Sequence, residues 1–78
     1  MTIKVNVEMM PGLRVNGGKK FELELPEGTT IEALLKKVGF MEEELESLRV
    51  FVNERLEEHA KTLKDGDNIW VGMVLGGG

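Results

Sequence analysis

Ile3, Val5 and Val7 alternate with Lys4, Asn6 and Glu8, the two-residue period of a strand with one buried face. The period returns in Phe21, Leu23 and Leu25, spaced by Glu22 and Glu24. Between the two runs lies Pro11-Gly12-Leu13-Arg14-Val15-Asn16-Gly17-Gly18, rich in turn formers, so a hairpin with a long loop is expected. Pro26-Glu27-Gly28 ends the second run, and the period then changes. Ile31, Leu34, Leu35 and Val38 fall at i, i+3, i+4 and i+7, one face of a helix. Thr29 with Glu32 fits a capping box at its start. Gly39 fits the left-handed residue past its end, with Phe40 folding back on Leu35 in a Schellman motif.

Residues 41–47 carry Glu42, Glu43, Glu44 and Glu46 and read as a short acidic turn or helix with a solvated face. Residues 49–53 form the next strand, Asn53-Glu54-Arg55 turns it, and the polar stretch 56–60 reads as an edge strand. Leu63-Lys64-Asp65-Gly66-Asp67 is a tight turn before the most apolar strand, residues 68–75. The order is strand, strand, helix, strand, short strand, strand. Laying one helix across one face of a mixed sheet of about four to five strands buries its single apolar stripe, an α+β fold.

The 78 residues allow one domain with a modest core, since chains this short bury only about 60% of their unfolded surface. Catalysis in a deep, walled cleft is not expected, and neither is a stand-alone enzyme, because no nucleophile–base pair or metal cluster is visible. No apolar run approaches the ~20 residues of a membrane span and the first residues lack a secretion signal, so a cytoplasmic location is expected. The absence of cysteine excludes disulfides, thiolate catalysis and cysteine-held metals. A net charge of −4 with scattered basic residues makes nucleic acid a poor partner and a basic protein a better one. The acidic residues Glu42, Glu43, Glu44, Glu46, Asp65 and Asp67 are candidates for steering such a partner.

Other constellations read as structural. His59, the lone histidine, has no positioned catalytic partner. Asp65 and Asp67 lack the further oxygen ligands of a calcium loop and fit turn chemistry. Gly12, Gly17 and Gly18 do not sit in a strand–turn–helix phosphate-binding context, and Met9 and Met10 read as strand-end filler.

Gly76-Gly77-Gly78 follows directly on the apolar run. A peptide without side chains can enter a narrow channel that any Cβ would obstruct. The expected organisation is therefore a folded domain over residues 1–75 and a reactive tail over 76–78, which offers the carboxylate of Gly78.

Asp65-Gly66-Asp67 before an apolar strand ending in Gly77-Gly78, Gly28-Thr29-Thr30-Ile31-Glu32-Ala33-Leu34-Leu35 opening the helix, and Val52-Asn53 ending a central strand together resemble the ubiquitin-like sulfur carriers of the MoaD/ThiS family. These include the small subunit of molybdopterin synthase and the thiamine-biosynthesis carrier, with archaeal small modifiers as close relatives. The resemblance implies a ubiquitin-like β-grasp fold. It implies that an activating enzyme using ATP and Mg²⁺ adenylates Gly78, which then becomes a thiocarboxylate and donates sulfur, with Gly76 and Gly77 threading the tail. The protein would bind no cofactor itself and act as a co-substrate, or as the small subunit beside a molybdopterin synthase large subunit or another sulfur acceptor. The alternatives are a modifier joined through Gly78 to target lysines, a carrier for thiamine or tRNA thiolation, and an unreactive β-grasp binding module. Gly72-Met73 stands where the molybdopterin branch usually has two prolines, and Gly76 where it usually has Ala, Thr or Ser. The longer loop and the Glu-rich segment depart from the compact thiamine carriers.

Strand parity supplies a docking face. In the last strand Ile69, Val71 and Met73 share one side and Trp70, Gly72 and Val74 the other; in the strand before the short edge, Val50 and Val52 oppose Phe51. With the faces reversed, Trp70 would be a core residue. With the aliphatic residues facing the helix, and the two strands neighbours as the family resemblance implies, Phe51 and Trp70 project from the open face. There they would form an aromatic partner-binding patch, with Gly72 leaving room for the partner and Val74 and Leu75 leading to the tail.

Overall fold

The computed structural model describes residues 1–11, 13 and 20–73. Five strands build one sheet: β1 (Thr2–Met9), β2 (Lys20–Pro26), β3 (Leu48–Val52), β4 (Arg55–Glu57) and β5 (Asn68–Met73). Their spatial order is β2-β1-β5-β3-β4, with β1 and β5 parallel and every other pair antiparallel. Helix α1 (Ile31–Lys37) and a 3₁₀ helix (Glu42–Ser47) lie between β2 and β3. The element order is the one the hydrophobic periods predict. Residues 12, 14–19 and 74–78 lie outside the described residues, and with them most of the expected long loop, the partner-binding candidates Val74 and Leu75, and the expected tail Gly76, Gly77 and Gly78.

The helix side of the sheet is closed. Ile3, Val5, Val7 and Met9 of β1, Val50 and Val52 of β3, and Ile69 and Val71 of β5 are all buried against Ile31, Leu34, Leu35 and Val38. Burying a side chain of this size contributes about 1.5–3 kcal/mol, so this single layer carries the fold. Gly39 takes φ +116°, the Gly39 N–H donates to Lys36 O at 3.2 Å and the Phe40 N–H to Leu35 O at 3.1 Å. That is the Schellman closure expected, and it folds Phe40 into the core.

The start of α1 differs from the capping box expected at Thr29 and Glu32. The cap is Thr30, whose Oγ1 accepts from the Ala33 N–H at 3.2 Å. Thr29 is engaged elsewhere: its hydroxyl donates to Pro26 O at 2.6 Å, and its carbonyl accepts from the Leu63 N–H at 2.8 Å. With Ala33 three residues past the cap, no side chain is available for the reciprocal bond. Glu32 instead lies 3.5 Å from Lys36 one turn on.

Asn53 and Glu54 have φ of +52° and +71°, the two-residue hairpin conformation whose twist matches the strands it joins. This turn pairs Val52 with Arg55 and Phe51 with Leu56, so the edge strand spans Arg55–Glu57 rather than the expected 56–60. The Asp65–Gly66–Asp67 turn locks the same end of the sheet. The Lys4 N–H donates to Asp65 Oδ1 at 2.8 Å, and Asp67, only 8% exposed, accepts from Asn53 Nδ2 at 2.9 Å and from the Lys64 N–H at 2.8 Å. Asp67 is therefore a hydrogen-bonding post between two turns. Glu42, Glu43 and Glu46 are exposed, while Glu44 accepts from the Met41 N–H at 2.7 Å.

Candidate functional site

The face of the sheet turned away from α1 has an apolar half and a polar half. The pairing registers place Leu56, Phe51, Trp70, Glu8 and Lys20 in one row across β4, β3, β5, β1 and β2. Trp70 is 37% exposed, Leu56 is 59% exposed and Phe51 is half-buried. The Phe51 and Trp70 rings meet edge to face, with centroids 5.8 Å apart and planes at 68°, a geometry favoured by aromatic pairs. The two rings line one side of a shallow depression of about 780 Å³ whose other walls include Asn6, Glu8, Asn53 and Asn68. Its floor is pinned by Asn6 Nδ2 donating to Asn68 Oδ1 at 3.1 Å and the Asn68 N–H donating to Asn53 Oδ1 at 3.0 Å.

Gly72 does not serve as expected. It is buried, and a Cβ built on it would overlap Cζ3 and Cη2 of the Trp70 indole, with Met10 Sδ at 3.5 Å. Side chains two residues apart on a strand share a face, so the indole lies along β5 over the place where Gly72 has no side chain. The space is filled by Trp70 and not kept for a partner. Gly72 thus shapes the patch by letting the indole lie flat.

Leu56 is the patch residue that sequence reasoning missed. Its signal was present in the Asn53-Glu54 turn, because a two-residue hairpin fixes the register and sets Leu56 opposite Phe51. His59 is half-buried with Nε2 3.3 Å from Leu48 O, a structural tie between the segment after β4 and the start of β3. Met9 fills the core, whereas Met10 lies at the β5 end, where the Met73 N–H donates to its Sδ at 3.4 Å. Among the described residues no three His, Asp or Glu side chains are grouped to hold a metal ion, and no helix is long and apolar enough to cross a membrane.

A five-stranded mixed sheet grasping one helix, with an aromatic patch on the strand that leads to a glycine tail, defines a ubiquitin-like β-grasp protein. The family model described as the ThiS family matches residues 3–78, and the chain belongs to that family. Among solved structures it is similar to a Pyrococcus furiosus protein described as molybdopterin converting factor, subunit 1, at 26% identity and TM-score 0.75, covering 94% of this chain and 99% of that one. It is similar also to Caldiarchaeum subterraneum ubiquitin, at 24% identity and TM-score 0.68 with both chains fully covered. The Haloferax volcanii HVO 2177 protein shares the fold at 22% identity and TM-score 0.79, covering 99% of this chain and 88% of that one. No curated relative matches the chain.

Proposed function

We propose that the protein is a sulfur carrier for molybdenum or tungsten cofactor biosynthesis. Its Gly78 carboxylate is adenylated by an activating enzyme docked on the Leu56–Phe51–Trp70 stripe, then converted to a thiocarboxylate that supplies a molybdopterin synthase large subunit. The observation that supports this reading is the family match over residues 3–78, which takes in the glycine tail. The likeness to the Pyrococcus furiosus molybdopterin converting factor subunit favours that acceptor over thiamine or tRNA thiolation.

A carboxylate is a poor electrophile because neither oxygen is a good leaving group. In the partner's site a Gly78 oxygen would attack the α-phosphorus of ATP and pyrophosphate would depart; Mg²⁺ brought by the partner would offset the phosphate charge. Hydrosulfide then attacks the acyl carbon and AMP leaves with the C–O electron pair, so a C–S bond replaces the activated C–O bond and loss of the S–H proton gives the thiocarboxylate. This chain supplies the carboxyl group, a side-chain-free tail to carry it and a face to hold the enzyme. Because the sulfur rides on the main-chain carboxyl, the chain needs no cysteine for this chemistry.

Intact-mass analysis of the protein isolated from its own cells tests the proposal. A gain matching exchange of one oxygen for sulfur at Gly78 is expected. Adducts linked to target lysines would assign the protein as a modifier instead. In vitro, removing Gly77 and Gly78 should abolish ATP–pyrophosphate exchange by the activating enzyme while the fold persists; undiminished exchange would sink the proposal.

A further inference from the structure

The two edges of the sheet are β2 and β4, and they are unlike. β4 has three residues, the kind of short edge that discourages strand pairing, whereas β2 has seven. The register decides which β2 groups face outward. The Glu27 N–H donates to Met1 O at 2.9 Å, continuing a ladder in which Pro26 opposes Thr2 and Leu25 opposes Ile3. Hydrogen-bonded and non-bonded pairs alternate along an antiparallel ladder. Leu25, Leu23 and Phe21 therefore exchange bonds with Ile3, Val5 and Val7, and the N–H and C=O groups of Lys20, Glu22 and Glu24 point away from the sheet. Pro26 closes that series: it has no N–H, and its carbonyl accepts from the Thr29 N–H and hydroxyl.

The side chains give this edge a chemical preference. Glu22 and Glu24 stand exposed on the open face and neither forms an ion pair among the described residues. On the helix side Phe21 and Leu23 pack against the core but remain half-buried, leaving apolar surface at the rim.

We infer that β2 accepts an added strand from another polypeptide in which basic and apolar residues alternate, the basic ones opposite Glu22 and Glu24 and the apolar ones opposite Phe21 and Leu23. A second copy of this chain is the poorer occupant. Pairing β2 with itself about Leu23, the register that uses the whole strand, sets Glu22 against Glu24 twice, and like charges directly opposite are destabilising. The registers about Glu22 and Phe21, which set Lys20 against Glu24 or Glu22, use only five or three residues of the strand. β1 separates this edge from Trp70 on β5, and the inference does not depend on the chemistry of the tail.

The test is an NMR titration of the full chain with two capped synthetic peptides of equal composition. One alternates lysine with valine and the other segregates them into two blocks. The alternating peptide should slow hydrogen exchange at the Lys20, Glu22 and Glu24 amides, and the blocked one should not. Glu22→Lys combined with Glu24→Lys should weaken the alternating lysine peptide by about tenfold and transfer the preference to an alternating glutamate–valine peptide. Glu22→Pro removes an outward N–H while leaving the β1 ladder bonds in place, and should abolish the protection. Unchanged exchange at the three amides, equal binding of the two lysine peptides, or shifts centred on Trp70 would overturn the inference. Self-association through the same amides would assign the edge to a second copy and overturn it as well.

Discussion

The two faces of β3 and β5 are built from the same strands, one residue out of phase, and they use their hydrophobic residues in opposite ways. Towards the helix stand Val50, Val52, Ile69 and Val71, none more than 2% exposed. Away from it stand Phe51 and Trp70, larger and more apolar in area, yet left half-buried and exposed. A small domain short of buried surface gains most from burying its aromatic residues, each able to remove ~150–250 Å² from water. Here the core takes in Phe40 but closes without the sole tryptophan. What the open face forgoes in stability is available to a partner, and that contrast is why we place docking there.

The contrast is broken most sharply from the closed side. Leu35→Ala removes a fully buried side chain from the core face of α1 and keeps the backbone bond from the Phe40 N–H to the Leu35 carbonyl. It should cost about 2–5 kcal/mol of stability in a urea titration, with the span set by how far the cavity collapses. Docking of the activating enzyme, measured at a temperature where the variant is still folded, should change little. A loss of docking as large as the loss of stability would mean that the two faces are not separable.

Trp70→Ala is the mirror experiment. Partner binding should weaken by about 2 kcal/mol or more, as for an aromatic anchor at the centre of an interface, while the melting temperature falls little. Tryptophan emission of the free protein reports the same point independently. A blue-shifted spectrum indifferent to partner, or a large drop in melting temperature, would return Trp70 to a structural role.

How much of this was legible in the sequence follows the physics of each element. Strands with one buried face print their period directly, as Ile3, Val5 and Val7 do, and the helix stripe with its Gly39 end was equally readable. Two adjacent threonines defeated the cap assignment, because which one turns into the helix depends on the Leu63 N–H reaching Thr29 O, a contact across 34 positions of chain. Parity correctly set Phe51 and Trp70 apart from the valines. It could not show the Trp70 indole lying along its own strand, so Gly72 was read as empty space. Leu56 was hidden inside a polar stretch that belongs to the site only through the hairpin register.

Gly72→Ala tests that corrected reading. The backbone at Gly72 is not in the left-handed region, so the added methyl acts by sterics alone, pushing the indole off β5. Overpacking of this kind costs about 1–3 kcal/mol, and we expect the lower end because the indole borders solvent. Trp70 emission should shift and docking should fall with it. If emission and docking are both unchanged, the indole does not rest on Gly72 and the patch is not shaped this way.

The smallest effect should come from Leu56→Ala. Leu56 is 59% exposed on a three-residue edge strand, so little buried surface is lost and stability should stay within about 0.5 kcal/mol. Its value lies in locating the rim of the patch. If the partner covers the whole row from Leu56 through Phe51 to Trp70, binding should weaken by about 1 kcal/mol, measured by calorimetry with the activating enzyme. If the footprint is centred instead on the Asn6–Asn68 side of the depression that Phe51 and Trp70 also line, binding is unchanged, and Asn6→Ala or Asn68→Ala carries the loss. The apolar half and the polar half of the open face would then exchange roles, with Trp70 at the border of both.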